Sequence, residues 1–197
     1  SSGGVAAGLI PTTSDSVYFD GNSGLVAASI VNLNLPIDVA TFDFSGANIP
    51  FQFQCALASI SVSTSLRGSV NPTFTGWTGF WNLTTNTTGS IVSNGRTWTN
   101  DIKMVGTGVL TMSTLSSNAD LYLNAGSINL SGSTSSIANF YSLGVNIRSI
   151  NLTNTILSVT GTVWNVSSTN FSILHTNGRI NLNNIGTTVF TGGGKNY

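Results

Sequence analysis

Groups able to do acid–base or nucleophilic chemistry are few in this sequence, and their spacing keeps them apart. The acids are six aspartates, Asp15, Asp20, Asp38, Asp43, Asp101 and Asp120, with no glutamate at all. Cleaving a polysaccharide needs two carboxyl groups, or an acid and a base, converging on one groove. Asp15/Asp20 and Asp38/Asp43 are each five residues apart, which sends their side chains to opposite faces of any continuous strand. Asp101 and Asp120 stand singly, so only the stacking of distant segments can bring either a partner. The one histidine, His175, follows Phe171 and Ile173 at period two. That places it inward or at a corner, at the end of its strand. No Gly-x-Ser-x-Gly turn is present to raise a serine nucleophile for it.

Metal and thiol chemistry fare no better. Asp20-Gly21-Asn22-Ser23-Gly24 matches the opening of a calcium loop, but Val31 stands where the bidentate acid belongs. A tight turn is the expectation there. Cys55 is the only cysteine, so it has no internal disulfide partner, and no histidine lies near it for metal binding. It continues the apolar row Phe51, Phe53 and is read as a small buried hydrophobe. The chain is therefore expected to carry no catalytic residues, no metal and no cofactor, and not to be an enzyme. Two surface roles remain. Six Asn-x-Ser/Thr sequons, at Asn82, Asn86, Asn129, Asn151, Asn165 and Asn170, are candidates for glycosylation. Their number is what 54 Ser plus Thr and 23 Asn give by chance, so only their outward geometry favours them. Trp77, Trp81 and Trp98 are candidate glycan contacts, read as exposed aromatics.

Composition narrows the partners. The chain has 197 residues, 40% of them hydrophobic but only 6% charged, with a net charge of zero. Ordinary globular proteins are roughly 25% charged. Nucleic acids and anionic membranes both call for clustered Lys and Arg, and here the six bases are scattered singly. No apolar run approaches the roughly 20 residues of a membrane helix. The nearest, Leu25 to Phe42, is interrupted by Asn32, Asn34, Pro36 and Asp38. The opening SSGGVAAGLIP shows no basic or long apolar region of a secretory signal. Ser, Thr, Asn and Gly take the place of charge, and recurrent Val, Ile, Leu, Phe and Trp argue against disorder.

The elements that must position these residues are strands. Apolar residues alternate with polar ones at Phe42/Phe44, Phe51/Phe53/Cys55, Ile60/Val62 and Leu121/Leu123, and helical spacing is missing. Towards the C-terminus the inward pairs are Ile150/Leu152, Leu157/Val159, Trp164/Val166, Phe171/Ile173 and Ile180/Leu182, at steps of seven, seven, seven and nine. Strands so short and so evenly spaced fit a coil with three faces and about 21 residues per turn. Asn-Gly-Arg at Asn94–Arg96 returns at Asn177–Arg179, 83 residues or about four coils later. The spacing predicts an all-β fold, a right-handed parallel β-solenoid of about nine coils, with a β-sandwich as the alternative. Residues 1–50 hold three of the four prolines and four of the six Asp. They read as an irregular leading segment that flanks or starts the stack, and 51–197 as one continuous solenoid.

The segments IPTTSDSVYFDGNSG (Ile10–Gly24), SIVSNGRTWTNDI (Ser90–Ile102), LYLNAGSINLSG (Leu121–Gly132), WNVSSTNFSILHTNGRI (Trp164–Ile180) and TGGGKNY (Thr191–Tyr197) carry a likeness over nearly the whole chain. In them the sequence resembles a loosely defined group of Ser/Thr/Gly/Asn-rich β-solenoid surface, fibre or tail-associated proteins of environmental bacteria and their phages. The resemblance implies an exposed architecture and transfers no catalytic residue. In such relatives the Gly-Gly-Gly-Lys segment is followed by further strands, so the chain is open to being a piece or a processed form. The expected role is a non-enzymatic structural subunit, on the cell surface, extracellular or in a virion, whose partner is itself. The alternative is a glycan-binding adhesin or tail-fibre segment.

Overall fold

The computed structural model describes residues 10–34, 37–167, 169–184 and 189–195. Among them are twenty short strands and no helix, and every strand pair is parallel. The chain is a β-solenoid of about eight turns at about 22 residues per turn. Parallel pairing of successive coils rules out the hairpins of a sandwich. The expected nine coils of about 21 residues become about eight of about 22, and individual coils vary in length. A short coil carries the chain from Leu110 to its partner Ile128, and a longer one carries it from Trp164 to Phe190.

Three faces build each turn. Ile37–Asp43 and Ser59–Arg67 are long enough to cover two of them, and Ser59–Arg67 then splits its pairing between two columns. The first column is Phe80–Leu83, Ile102–Met104, Leu121–Leu123, Phe140–Ser142, Val163–Val166 and Val189–Thr191. The second is Thr88–Val92, Val109–Met112, Gly126–Asn129, Arg148–Asn151 and Phe171–Leu174. The third has Ile30–Leu33, Gln52–Cys55 and Thr73–Thr75 below, and Thr134–Ile137, Ile156–Val159 and Arg179–Leu182 above. Between those two halves only the single bridges Trp98↔Ser117 and Ser116↔Ser136 connect the coils. The seven-residue steps correspond to these faces, since Leu157/Val159, Trp164/Val166 and Phe171/Ile173 lie on the third, first and second in turn. Leu152, Val159 and Val166 are buried, and Ile173 is half-buried near the end of the stack.

Stacking begins before residue 51. Ser16–Tyr18 pairs with Ile37–Asp43, and Ile30–Leu33 with Gln52–Cys55. Corners are made by the polar residues that replace charge. Asn94, Asn154, Asn170 and Asn177 have φ of 46°, 52°, 51° and 55°, a region Asn tolerates better than most residues. The two Asn-Gly-Arg triplets share a corner four coils apart, because pairing runs from Trp98 to Ser117 and from Ser116 through Ser136 and Ser158 to Asn181. At another corner Gly126 has φ 69°, and a Cβ there would meet the carbonyls of Gly106 and Gly108 at 2.5 Å. Coils pass too closely at that point for any side chain.

The interior is a continuous apolar rod. Its lower coils are aromatic, with Phe42, Phe44, Phe53, Phe74, Trp77, Trp81 and Trp98 packed ring against ring, mostly tilted or edge to face. Aliphatic residues such as Met104, Leu110, Leu123 and Ile128 fill the middle. Phe140 and Trp164 stack at 4.4 Å above them.

Candidate functional site

The three tryptophans expected to meet glycans are core residues. Trp77 is 7% exposed, Trp81 1% and Trp98 0%. Trp77 donates its indole N–H to the Leu57 carbonyl at 2.8 Å, and Trp98 donates to Ser93 Oγ at 2.9 Å. Their rings pack on one another, so none can stack on a sugar. The correction was within reach of the pattern, since Trp81 and Leu83 form a period-two pair like Trp164 and Val166.

The sequons lie on the outside. Asn82, Asn129, Asn151 and Asn165 alternate with buried strand residues and are half-exposed, while Asn86 and Asn170 are exposed at corners. Several already cap turns: Asn129 Oδ1 accepts from Ser131 N, Asn151 Oδ1 from Thr153 N, and Asn86 Oδ1 from Thr107 N. Asn170 donates through Nδ2 to the Val145 carbonyl at 2.6 Å.

Five of the six aspartates divide into two groups, and Asp38 stands exposed on Ile37–Asp43. Asp15, Asp20 and Asp43 tie turns by accepting hydrogen bonds from Thr12, from Asn22 and Ser23, and from Ser45. The Asp20 turn is what the structure makes of the calcium-like loop. Asp101 and Asp120, distant singles in sequence, fall on adjacent coils of the first face, where Asp120 N donates to Asp101 Oδ1 at 3.1 Å. Asp120 also accepts from Asn139 Nδ2 at 2.7 Å and from the Tyr122 hydroxyl at 3.3 Å. Beside them runs a column that sequence reasoning did not name: Lys103, Tyr122 and Tyr141, paired in register. The tyrosine rings stack at 4.9 Å, and Lys103 Nζ sits 3.6 Å from the Phe80 ring centroid and 5.1 Å from that of Tyr122. Each is the outward residue between two inward ones, and the triplets Ile102–Met104, Leu121–Leu123 and Phe140–Ser142 follow one another at equal intervals. That even recurrence was the available signal.

Burial raises the Tyr122 phenol to about 12, with the Asp120 and Asp101 carboxylates adding to the rise. Tyr141 moves the same way for the same causes. A phenol whose folded pKa exceeds its unfolded value of about 10 contributes stability in full below pH 10. The contribution is lost as pH climbs from about 10 to about 12. Ultraviolet titration of phenolate is expected to show a last step near pH 12 that Tyr122→Phe removes. Four tyrosines ionising together near pH 10 would contradict this geometry.

Two further places are unsatisfied by ordinary packing. The first is the last coil. Phe171–Leu174 and Arg179–Leu182 each pair on one side only among the described residues, and Val189–Thr191 lies beside them over the first face. Between them opens a hollow of about 370 Å³, lined mainly by Leu152, Ile173, Ile180, Leu182 and Phe190. His175 stands exposed at its rim, at the corner after its strand rather than inward. The second is Arg96, a guanidinium sunk among aromatic rings. Cys55, by contrast, is buried at 3% beside Phe51 and Phe53, and burial pushes its thiol upward. Among the described residues no group of three or more metal-ligating side chains comes together, and no helix is long and apolar enough to cross a membrane. No family model, curated protein or solved structure matches this chain.

Proposed function

We propose that this chain is a non-enzymatic structural subunit that adds to copies of itself end to end, as part of a fibre on a cell surface, outside the cell or in a virion. The observation supporting this is the open last coil. Arg179 N and Asn183 N bond back to Thr155 and Val159 of the preceding coil. Alternate residues of a parallel strand address opposite neighbours, so the N–H groups of Ile180 and Leu182 project to the free edge. Such an edge templates another strand. Beside it, apolar side chains are exposed to water, with Leu182 38% and Phe190 46% exposed. Among the described residues the first coil offers the complement, because Ser16–Tyr18 and Ile30–Leu33 also pair there on one side only, and Tyr18 and Ile30 are exposed. Head-to-tail contact of unlike ends, made along the direction in which the coils stack, does not turn back on itself, so it propagates as a filament rather than a ring. Few charges of either sign oppose it.

Sedimentation at rising concentration tests the proposal, with negative-stain microscopy of the same material. The native chain is expected to form species that lengthen as concentration rises. Leu182→Lys is expected to remain monomeric with an unchanged circular dichroism spectrum, since Lys at this half-open position is solvated in the monomer and desolvated only in a junction. A native chain that stays monomeric throughout refutes the proposal.

A further inference from the structure

Two arginines are buried, and their surroundings differ in a way that assigns them different work. Arg148, 1% exposed, donates to the carbonyls of Ser142, Gly144, Asn146 and Thr169 and to the hydroxyls of Ser142 and Ser167. Every nitrogen of its guanidinium is used. Arg96, 8% exposed, bonds through Nη1 alone, to the carbonyls of Ser69 at 3.2 Å and Pro72 at 2.7 Å. Its Nε is buried without a partner. No carboxylate offsets its charge among the described residues, and burial lowers the group to about 10. The rings of Phe44, Phe74 and Trp98 surround the guanidinium carbon at 5.1, 5.1 and 5.3 Å. The neighbouring coil is cut back to admit it, since a Cβ on Gly68 would lie 2.9 Å from Arg96 Cδ. A cation held this way is costly to desolvate, and cation–π contact offsets only part of the cost.

Arg96 also lies where the third face is interrupted. The lower ladder ends at Thr73–Thr75, and the next coil up contributes only the bridge at Trp98. The gap is an open groove of about 410 Å³ whose walls include Arg96, Phe74, Gly95 and the exposed threonines Thr73, Thr97 and Thr99. That volume is at the small-ligand end of the roughly 300–1,000 Å³ range of binding pockets. One unopposed cation calls for one negative charge. Thr99 Oγ1 donates to Asn100 Oδ1 and Thr97 Oγ1 shares a hydrogen bond with Ser116 Oγ, each at 3.4 Å. These two therefore offer acceptor lone pairs, and Thr73 both a donor and an acceptor, to the hydroxyls of a pyranose ring. An extended polyanion would need further bases, and these are scattered singly along the chain.

We propose that this groove binds a hexuronate unit of a polysaccharide, its carboxylate on the Arg96 guanidinium and its ring hydroxyls on Thr73, Thr97 and Thr99. The site is independent of end-to-end assembly. Titration of the full chain with sodium glucuronate, followed by the arginine Nε–H resonances in NMR, reads it directly. One of the four arginine signals is expected to shift saturably, with no shift from glucose and binding of sodium acetate weaker by about tenfold or more. Arg96→Met, which keeps volume and removes the charge, is expected to abolish the binding heat of the same titration followed by calorimetry. Should that variant fail to fold, Thr97→Val with Thr99→Val keeps the cation and alters only exposed positions. It is expected to weaken glucuronate by about tenfold while leaving acetate unchanged. No saturable shift, equal affinity for acetate and glucuronate, a binding heat that survives Arg96→Met, or tighter binding of an aspartate-rich peptide overturns the proposal.

Discussion

Trp81→Ala is expected to cost about 3–5 kcal/mol of folding stability, the range for truncating a large buried aromatic. Trp81 is 1% exposed and lies in register between Ile60 of the coil below and Ile102 of the coil above. Its ring meets those of Phe42, Phe74, Trp77 and Trp98 at 5.7, 5.3, 4.9 and 5.6 Å. In a solenoid each coil buries its apolar face only against its neighbours, so the void would open between two coils and neither could close it alone. Urea denaturation of native and variant chains measures the difference. A loss below about 1 kcal/mol would mean that the indole is not a core residue, and would restore it as a surface contact.

Arg148→Met is expected to destabilise the chain by about 2–4 kcal/mol, although it exchanges a buried charge for an apolar side chain of similar length. Replacing a buried ion by a hydrophobic isostere is often neutral or stabilising. Here the balance reverses because the guanidinium satisfies the carbonyls of Ser142, Gly144, Asn146 and Thr169 together. Each buried acceptor left without a donor costs on the order of 1–3 kcal/mol, less what water can restore at this corner. Arg148→Lys is expected to recover only part of the loss, since an ammonium has three donors and no planar fork. The same denaturation curves decide the point: equal stability of Arg148→Met and the native chain would show that solvent already serves those carbonyls.

Period-two alternation and seven-residue steps are local properties, and they were enough to set the inward pairs, the three faces and the solenoid itself. Leu157/Val159 and Trp164/Val166 point inward because a strand has no other way to separate apolar from polar neighbours. The corners were legible for a similar reason, since Asn-Gly at Asn94 and Asn177 supplies a left-handed φ wherever it occurs. Self-pairing is also an expectation from the sequence, and it stands as a proposal that sedimentation of the chain tests.

What only the tertiary structure decided is which coil lies over which. The coil from Leu110 to Ile128 is short and the one from Trp164 to Phe190 is long. No single repeat therefore predicts neighbours, and outward columns could not be assembled from spacing alone. Asp101 meets Asp120, and Tyr122 meets Tyr141, because two consecutive coils on that face are equal in length, Ile102 to Leu121 and Leu121 to Phe140. The tryptophans read as surface aromatics are buried because the lower coils enclose an interior wide enough for a cluster of rings. Nothing local sets Arg96 and Arg148 apart from the other scattered bases. Their burial depends on carbonyls and rings supplied by other coils. Local pattern sets which way a side chain points. Stacking alone sets what it meets there.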